Sequence, residues 1–104
     1  MDSIRSLFAT PLLQTYLPVQ DKILKFVESQ EFVYHGNGHI TSEDLLDNTQ
    51  MHVVRDCITE RVEEFVYGDC GISSEMKIEL ISSWANLHKK GDFAQVHSHY
   101  NSII

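Results

Sequence analysis

Proline, cysteine and basic residues are scarce in this chain, and each shortage removes a class of explanation. Its 104 residues hold 2 prolines, 2 cysteines and a single tryptophan. Cys57 and Cys70 stand 13 apart and form no Cys-x-x-Cys pair, and a disulfide between them is the minority reading. Both read as free thiols of a reducing compartment. Lys and Arg number 8 against 15 Asp and Glu, for a net charge of −7. So few bases exclude a surface that tracks a nucleic-acid backbone and disfavour docking on an anionic membrane. The apolar runs fall far short of the ~20 residues of a membrane span. Met1-Asp2-Ser3-Ile4-Arg5 has an early acid and no apolar run behind it, which argues against a secretory signal. The expected location is cytoplasmic. Nucleophile-elbow, phosphate-loop and dinucleotide fingerprints are all missing.

What remains is ordinary for a folded domain, with 42% hydrophobic and 22% charged residues. One domain over 1–104 is expected. Residues 6–17 surround Pro11, which blocks a helix interior, and suggest an extended or edge segment. Val19, Ile23, Phe26 and Val27 share one helical face behind Pro18. Residues 31–48 look polar and irregular, with a turn at Gly36-Asn37-Gly38. Thr41 and Asp44 have the spacing of a capping box at a short helical turn. The strongest helix runs over about 49–68: Val54, Ile58, Val62 and Phe65 make its stripe, widened by Val53, Cys57 and Val66. Gly68 and Gly71 are its candidate stops.

After Ser73-Ser74 the period changes to two. Met76, Ile78 and Leu80 alternate with Lys77 and Glu79, which predicts a strand continuing towards Leu87. His88-Lys89-Lys90-Gly91-Asp92 predicts a turn, and a second strand is expected from Phe93 onward. The fold class is therefore α+β, with a helical region over 1–75 packed on an antiparallel sheet that begins over 76–104.

His97 and His99 stand two apart in that last strand. Side chains at i and i+2 of an extended chain point to one face, so two imidazoles can converge on one metal ion. They make a partial site, since a catalytic metal usually takes three protein ligands. The bland alternative is a pair of solvated histidines. Asp92 could add a carboxylate but reads more simply as a turn acid after Gly91. His35 and His39 flank the glycine turn, where a hairpin could bring them together or a polar loop could leave them apart. His52 and His88 read as surface histidines, and His88 could serve as a base only beside a substrate. Trp84 is expected to pack the hairpin on the helices. Ser82 and Ser83 have no nucleophile context.

Three stretches resemble a known family: Leu7-Phe8-Ala9-Thr10-Pro11-Leu12, Ser83-Trp84-Ala85-Asn86, and His97-Ser98-His99-Tyr100-Asn101-Ser102. They look like the phage-encoded and bacterial 2-oxoglutarate/Fe(II) oxygenases, relatives of prolyl hydroxylases. The resemblance implies a double-stranded β-helix, or jelly roll, and His97 as the first histidine of a His-x-Asp/Glu…His iron triad. It implies Fe(II) as metal, 2-oxoglutarate as cosubstrate, and hydroxylation of a C–H bond in a peptide, protein or small molecule. His99 departs from the pattern, because it stands where the carboxylate is usual; it implies a three-histidine site or a substrate-orienting group. The family's Ser-Gly-Val-Tyr-Tyr-like strand, its distal histidine and its 2-oxoglutarate-binding base have no counterpart here. The expectation is thus an N-terminal portion, inactive alone, with an exposed sheet edge that invites self-association. The competing readings are a small non-catalytic binding or structural protein and a cupin-like metal-binding domain.

Overall fold

The computed structural model describes residues 2–3 and 9–99. Its described elements are helix α1 (Asp21–Glu28), strands β1 (Val33–His35) and β2 (Gly38–Ile40), two 3-10 turns (Leu45–Asp47 and Thr49–Met51), helix α2 (His52–Glu63) running into a π turn (Glu64–Asp69), and strand β3 (Asn86–Leu87). The architecture is mixed helix and sheet. The sheet is open, antiparallel and three-stranded, in the order β1-β2-β3.

The helices follow the apolar periodicity. On α1, Ile23 is buried, and Phe26 and Val27 pack beside it. Val19 lies before the helix and stays exposed. The second helical path runs from Thr49 to Asp69, close to the expected bounds. Asn48 opens it, its side-chain oxygen accepting the Gln50 N–H at 2.9 Å, which satisfies one free donor of the first turn. Val54 is buried and Ile58 packs against the same core, whereas Val53 faces out. The path ends in wide turns: the Cys70 N–H bonds Phe65 O at 2.9 Å and the Ile72 N–H bonds Val66 O at 3.1 Å. Gly71 has φ +66°, the left-handed geometry that favours glycine after a helix. Gly68 is not the stop; it lies inside the π turn.

The core gathers Ile23, Leu45, Leu46, Met51 and Val54, with Leu17 and Ala85 at its margin. Ser83 ties the late segment to it. Its N–H bonds Glu43 O at 3.0 Å, its carbonyl accepts the Leu45 N–H at 3.1 Å, and its hydroxyl accepts the Leu46 N–H at 2.8 Å. Thr41, only 3% exposed, extends the seam: its Oγ1 accepts the Ala85 N–H at 3.0 Å and its own N–H bonds Ala85 O at 3.1 Å.

The sheet is not where periodicity placed it. β1 and β2 lie within 31–48, the stretch expected to be irregular, and Gly36 with φ +64° turns the hairpin. Of the strand expected over 76–87, only Asn86–Leu87 joins the ladder, with an isolated bridge from Ser83 to Asp44. Residues 93–99 belong to no ladder. Among the described residues the expected 76–104 hairpin does not form, because β3 pairs with β2 instead; residues 100–104 lie outside them. Period-two alternation reports an apolar side, whereas a strand needs a hydrogen-bonding partner. Met76 and Leu80 of that alternation have no ladder partner and remain exposed, as does the neighbouring Ile81. The turn after His88 forms as read: the Asp92 N–H bonds Lys89 O at 2.9 Å, Asp92 Oδ2 accepts the Lys89 N–H at 2.8 Å, and Gly91 has φ +95°. Residues 9–17 carry no strand, and Cys57 and Cys70 are free. Among the described residues no helix is long and apolar enough to cross a membrane.

Candidate functional site

One face of the sheet floors a cavity of about 600 Å³. Opposed residues of an antiparallel ladder share a face, and successive residues alternate. Val33 opposes Ile40, Tyr34 opposes His39 and His35 opposes Gly38; on the other side of β2, His39 opposes Leu87 and Ile40 opposes Asn86. His35, Gly38, Ile40 and Asn86 therefore lie on one face, with Trp84 and His88 on the flanks of β3. All six line the cavity. The chain beyond the Gly91 turn forms its wall, contributing Phe93 to His97 and His99.

Five of the 6 histidines of the chain line this space: His35, His39, His88, His97 and His99. They arrive from three parts of the sequence. The register sends the His39 ring to the opposite face, where it meets Tyr34 edge-on at 5.6 Å between centroids. Its Nδ1 is buried with no hydrogen-bond partner. His35 and His39 thus share a hairpin but point to opposite faces, so the turn does not converge them on one ion. His52 lies apart on α2, its Nε2 3.1 Å from Asp47 O.

His97 and His99 do come together. Their ring centroids are 5.0 Å apart and their planes 71° from parallel. Two imidazoles on one ion, each through a bond of about 2.0–2.1 Å, stand with centroids roughly 4.5–5.2 Å apart at right-angled to tetrahedral bond angles. His97 Nδ1 lies 2.7 Å from Gln95 O. A carbonyl can only accept, so this contact holds the proton on Nδ1 and leaves the Nε2 lone pair free, the tautomer arrangement of metal-ligating histidines. Both side chains are solvent-exposed. Among the described residues, no group of three or more His, Cys, Asp or Glu side chains is placed to hold one ion. Asp92 is engaged in its turn through Lys89. Leu7, Phe8 and Tyr100 to Ile104, parts of the motifs that carry the family resemblance, lie outside the described residues.

Two sequence readings change here. Trp84 does not clamp the sheet on the helices; it is 39% exposed and borders the cavity. Ser83, which the sequence singled out only as the start of the Ser83-Trp84-Ala85-Asn86 run, is the clamp. Its partners are far away in sequence, so only the fold reveals it. Compared with known protein families, curated proteins and solved structures, the chain matches none.

Proposed function

We propose that His97 and His99 are protein ligands of an Fe(II) site, and that the chain is the N-terminal part of a 2-oxoglutarate-dependent oxygenase whose sheet belongs to a double-stranded β-helix. The observation that supports this most directly is the His97–His99 pair, with ring spacing compatible with one ion and His97 Nε2 freed by the bond at Nδ1. Imidazole ligands suit Fe(II), and a two-histidine set with one further ligand leaves positions open for a cosubstrate. Iron bound there with a 2-oxo acid would supply oxidation of a substrate C–H bond. In this reading His97 is the first ligand, and His99 is a second ligand in place of a carboxylate. Trp84 and Phe93 give the adjoining cavity an apolar wall for the substrate.

The test is a Co(II) titration of the untagged chain, Co(II) standing in for air-sensitive Fe(II). The imidazole resonances of His97 and His99 are expected to shift or broaden together. His97→Ala is expected to lower the affinity of that site at least tenfold. A site unchanged by His97→Ala and His99→Ala rejects the metal assignment. Succinate formation by this chain alone would overturn the expectation that it is inactive by itself.

A further inference from the structure

A second histidine pair lies on the floor of the same cavity, in a row that crosses the sheet. His35 opposes Gly38 on β2. The ladder between β2 and β3 runs His39 to Leu87 and Ile40 to Asn86, so its next step sets Gly38 against His88. The row is His35, Gly38, His88, one residue from each side of a central glycine, all on one face. The His88 ring leans over that glycine: a Cβ placed on Gly38 would sit 3.0 Å from Cδ2 and 3.2 Å from Nε2 of His88. Gly38 is consequently buried although it stands at the hairpin turn.

We propose that His35 and His88 form a two-histidine clip for a divalent transition ion of the imidazole-preferring kind, Ni(II), Cu(II) or Zn(II), seated over Gly38. The proposal goes beyond the His97–His99 assignment and does not depend on it. Strands lie about 4.8 Å apart, so the backbones of His35 and His88, separated by one strand, stand roughly 10 Å apart. Each imidazole nitrogen reaches roughly 4.5 Å from its Cα, so two rings leaning inward can bring a nitrogen apiece to the roughly 3 Å separation that two bonds of about 2.0–2.1 Å to one ion require. Any side chain at the middle position would collide with the His88 ring; glycine lets that ring lean across β2 towards His35. The pair leaves the remaining coordination positions to solvent or to a ligand in the cavity, which suits the octahedral or tetragonal preference of Ni(II) and Cu(II).

The test uses Ni(II) with the untagged 104-residue chain carrying His97→Ala and His99→Ala, which removes the other pair. Calorimetry is expected to show one remaining ion per chain. Adding His35→Ala or His88→Ala is expected to weaken it at least tenfold, and Gly38→Val likewise, through a side chain that pushes the His88 ring aside. His52→Ala, away from the cavity, is expected to change nothing. Paramagnetic broadening gives a readout that needs no change at the clip itself: the imidazole signals of His35 and His88 are expected to disappear before those of His39 and His52. No binding once His97 and His99 are replaced, binding indifferent to His35→Ala and His88→Ala, or broadening centred elsewhere would each overturn the clip. Failure of the His97–His99 pair would leave this result unaffected, because that pair is absent from the test protein.

Discussion

The hydroxyl of Ser83 accepts the backbone N–H of Leu46 at 2.8 Å, across 37 residues of sequence. Leu46 is in the first 3-10 turn, whose leading N–H groups have no partner within the turn. Ser83 therefore does for this turn what a local cap does for an ordinary helix. It also places Trp84 to His88 along β2. Ser83→Ala removes the acceptor and leaves a part-buried N–H unpaired, which costs about 1–2 kcal/mol. Urea unfolding of the two proteins checks it, and a midpoint unchanged by the substitution would contradict the role.

Met51 and Val53 are two residues apart and lie on opposite sides of the chain. Met51 is buried in the core and Val53 is exposed. Met51→Ala is expected to destabilise by about 2–5 kcal/mol, through lost burial and the cavity it leaves. Val53→Ala is expected to stay within about 0.5 kcal/mol. Thermal unfolding of both variants gives the comparison.

Gly68 and Gly71 are equally plausible stops by composition, but the backbone separates them. Gly71→Ala forces a Cβ into the left-handed region at φ +66° and is expected to cost about 1–2 kcal/mol. A Cβ on Gly68 meets nothing within 4 Å and no positive φ opposes it. Gly68→Ala is therefore expected to be neutral or to stabilise by up to about 1 kcal/mol. Opposite signs in denaturant midpoints are the expected result.

β1 is an outer strand, with Val33 57% and Tyr34 67% exposed. An edge of this kind offers free N–H and C=O groups to a second copy. Sedimentation of the chain is expected to depend on concentration, and Val33→Lys is expected to reduce that dependence while the far-UV spectrum is kept. Association that the lysine leaves untouched would move the contact to another surface.

Helices were more legible than the sheet because a helix is specified by residues near one another. Ile23, Phe26 and Val27, and then Val54 and Ile58, declare a face at the right period, and that face meets the core. The strands are short, and β3 finds its partner far upstream. Nothing in Asn86-Leu87 itself names Gly38–Ile40 as its neighbour. The alternation of Met76, Ile78 and Leu80 was a stronger local signal and belongs to no ladder. The site shows the same division. His97 and His99 were visible because two-residue spacing survives in any extended chain. The row of His35, Gly38 and His88 was not, because it exists only once three separate strands are in register.

The late arrival of β3 also has a consequence in time. The β1–β2 hairpin closes over a two-residue turn, a local event of about 1–10 µs in isolated hairpins. The bond between Ala85 and Thr41 spans 44 residues, so β3 docks only after a long loop has closed and its entropy has been lost. The floor of the cavity is assembled in that order, with Gly38 and His35 in place first and His88 laid over the glycine last. Changes that loosen the docking of residues 83–88 would thus weaken metal at the proposed clip without touching a ligand, by reducing the fraction of molecules in which the two halves of the floor have met.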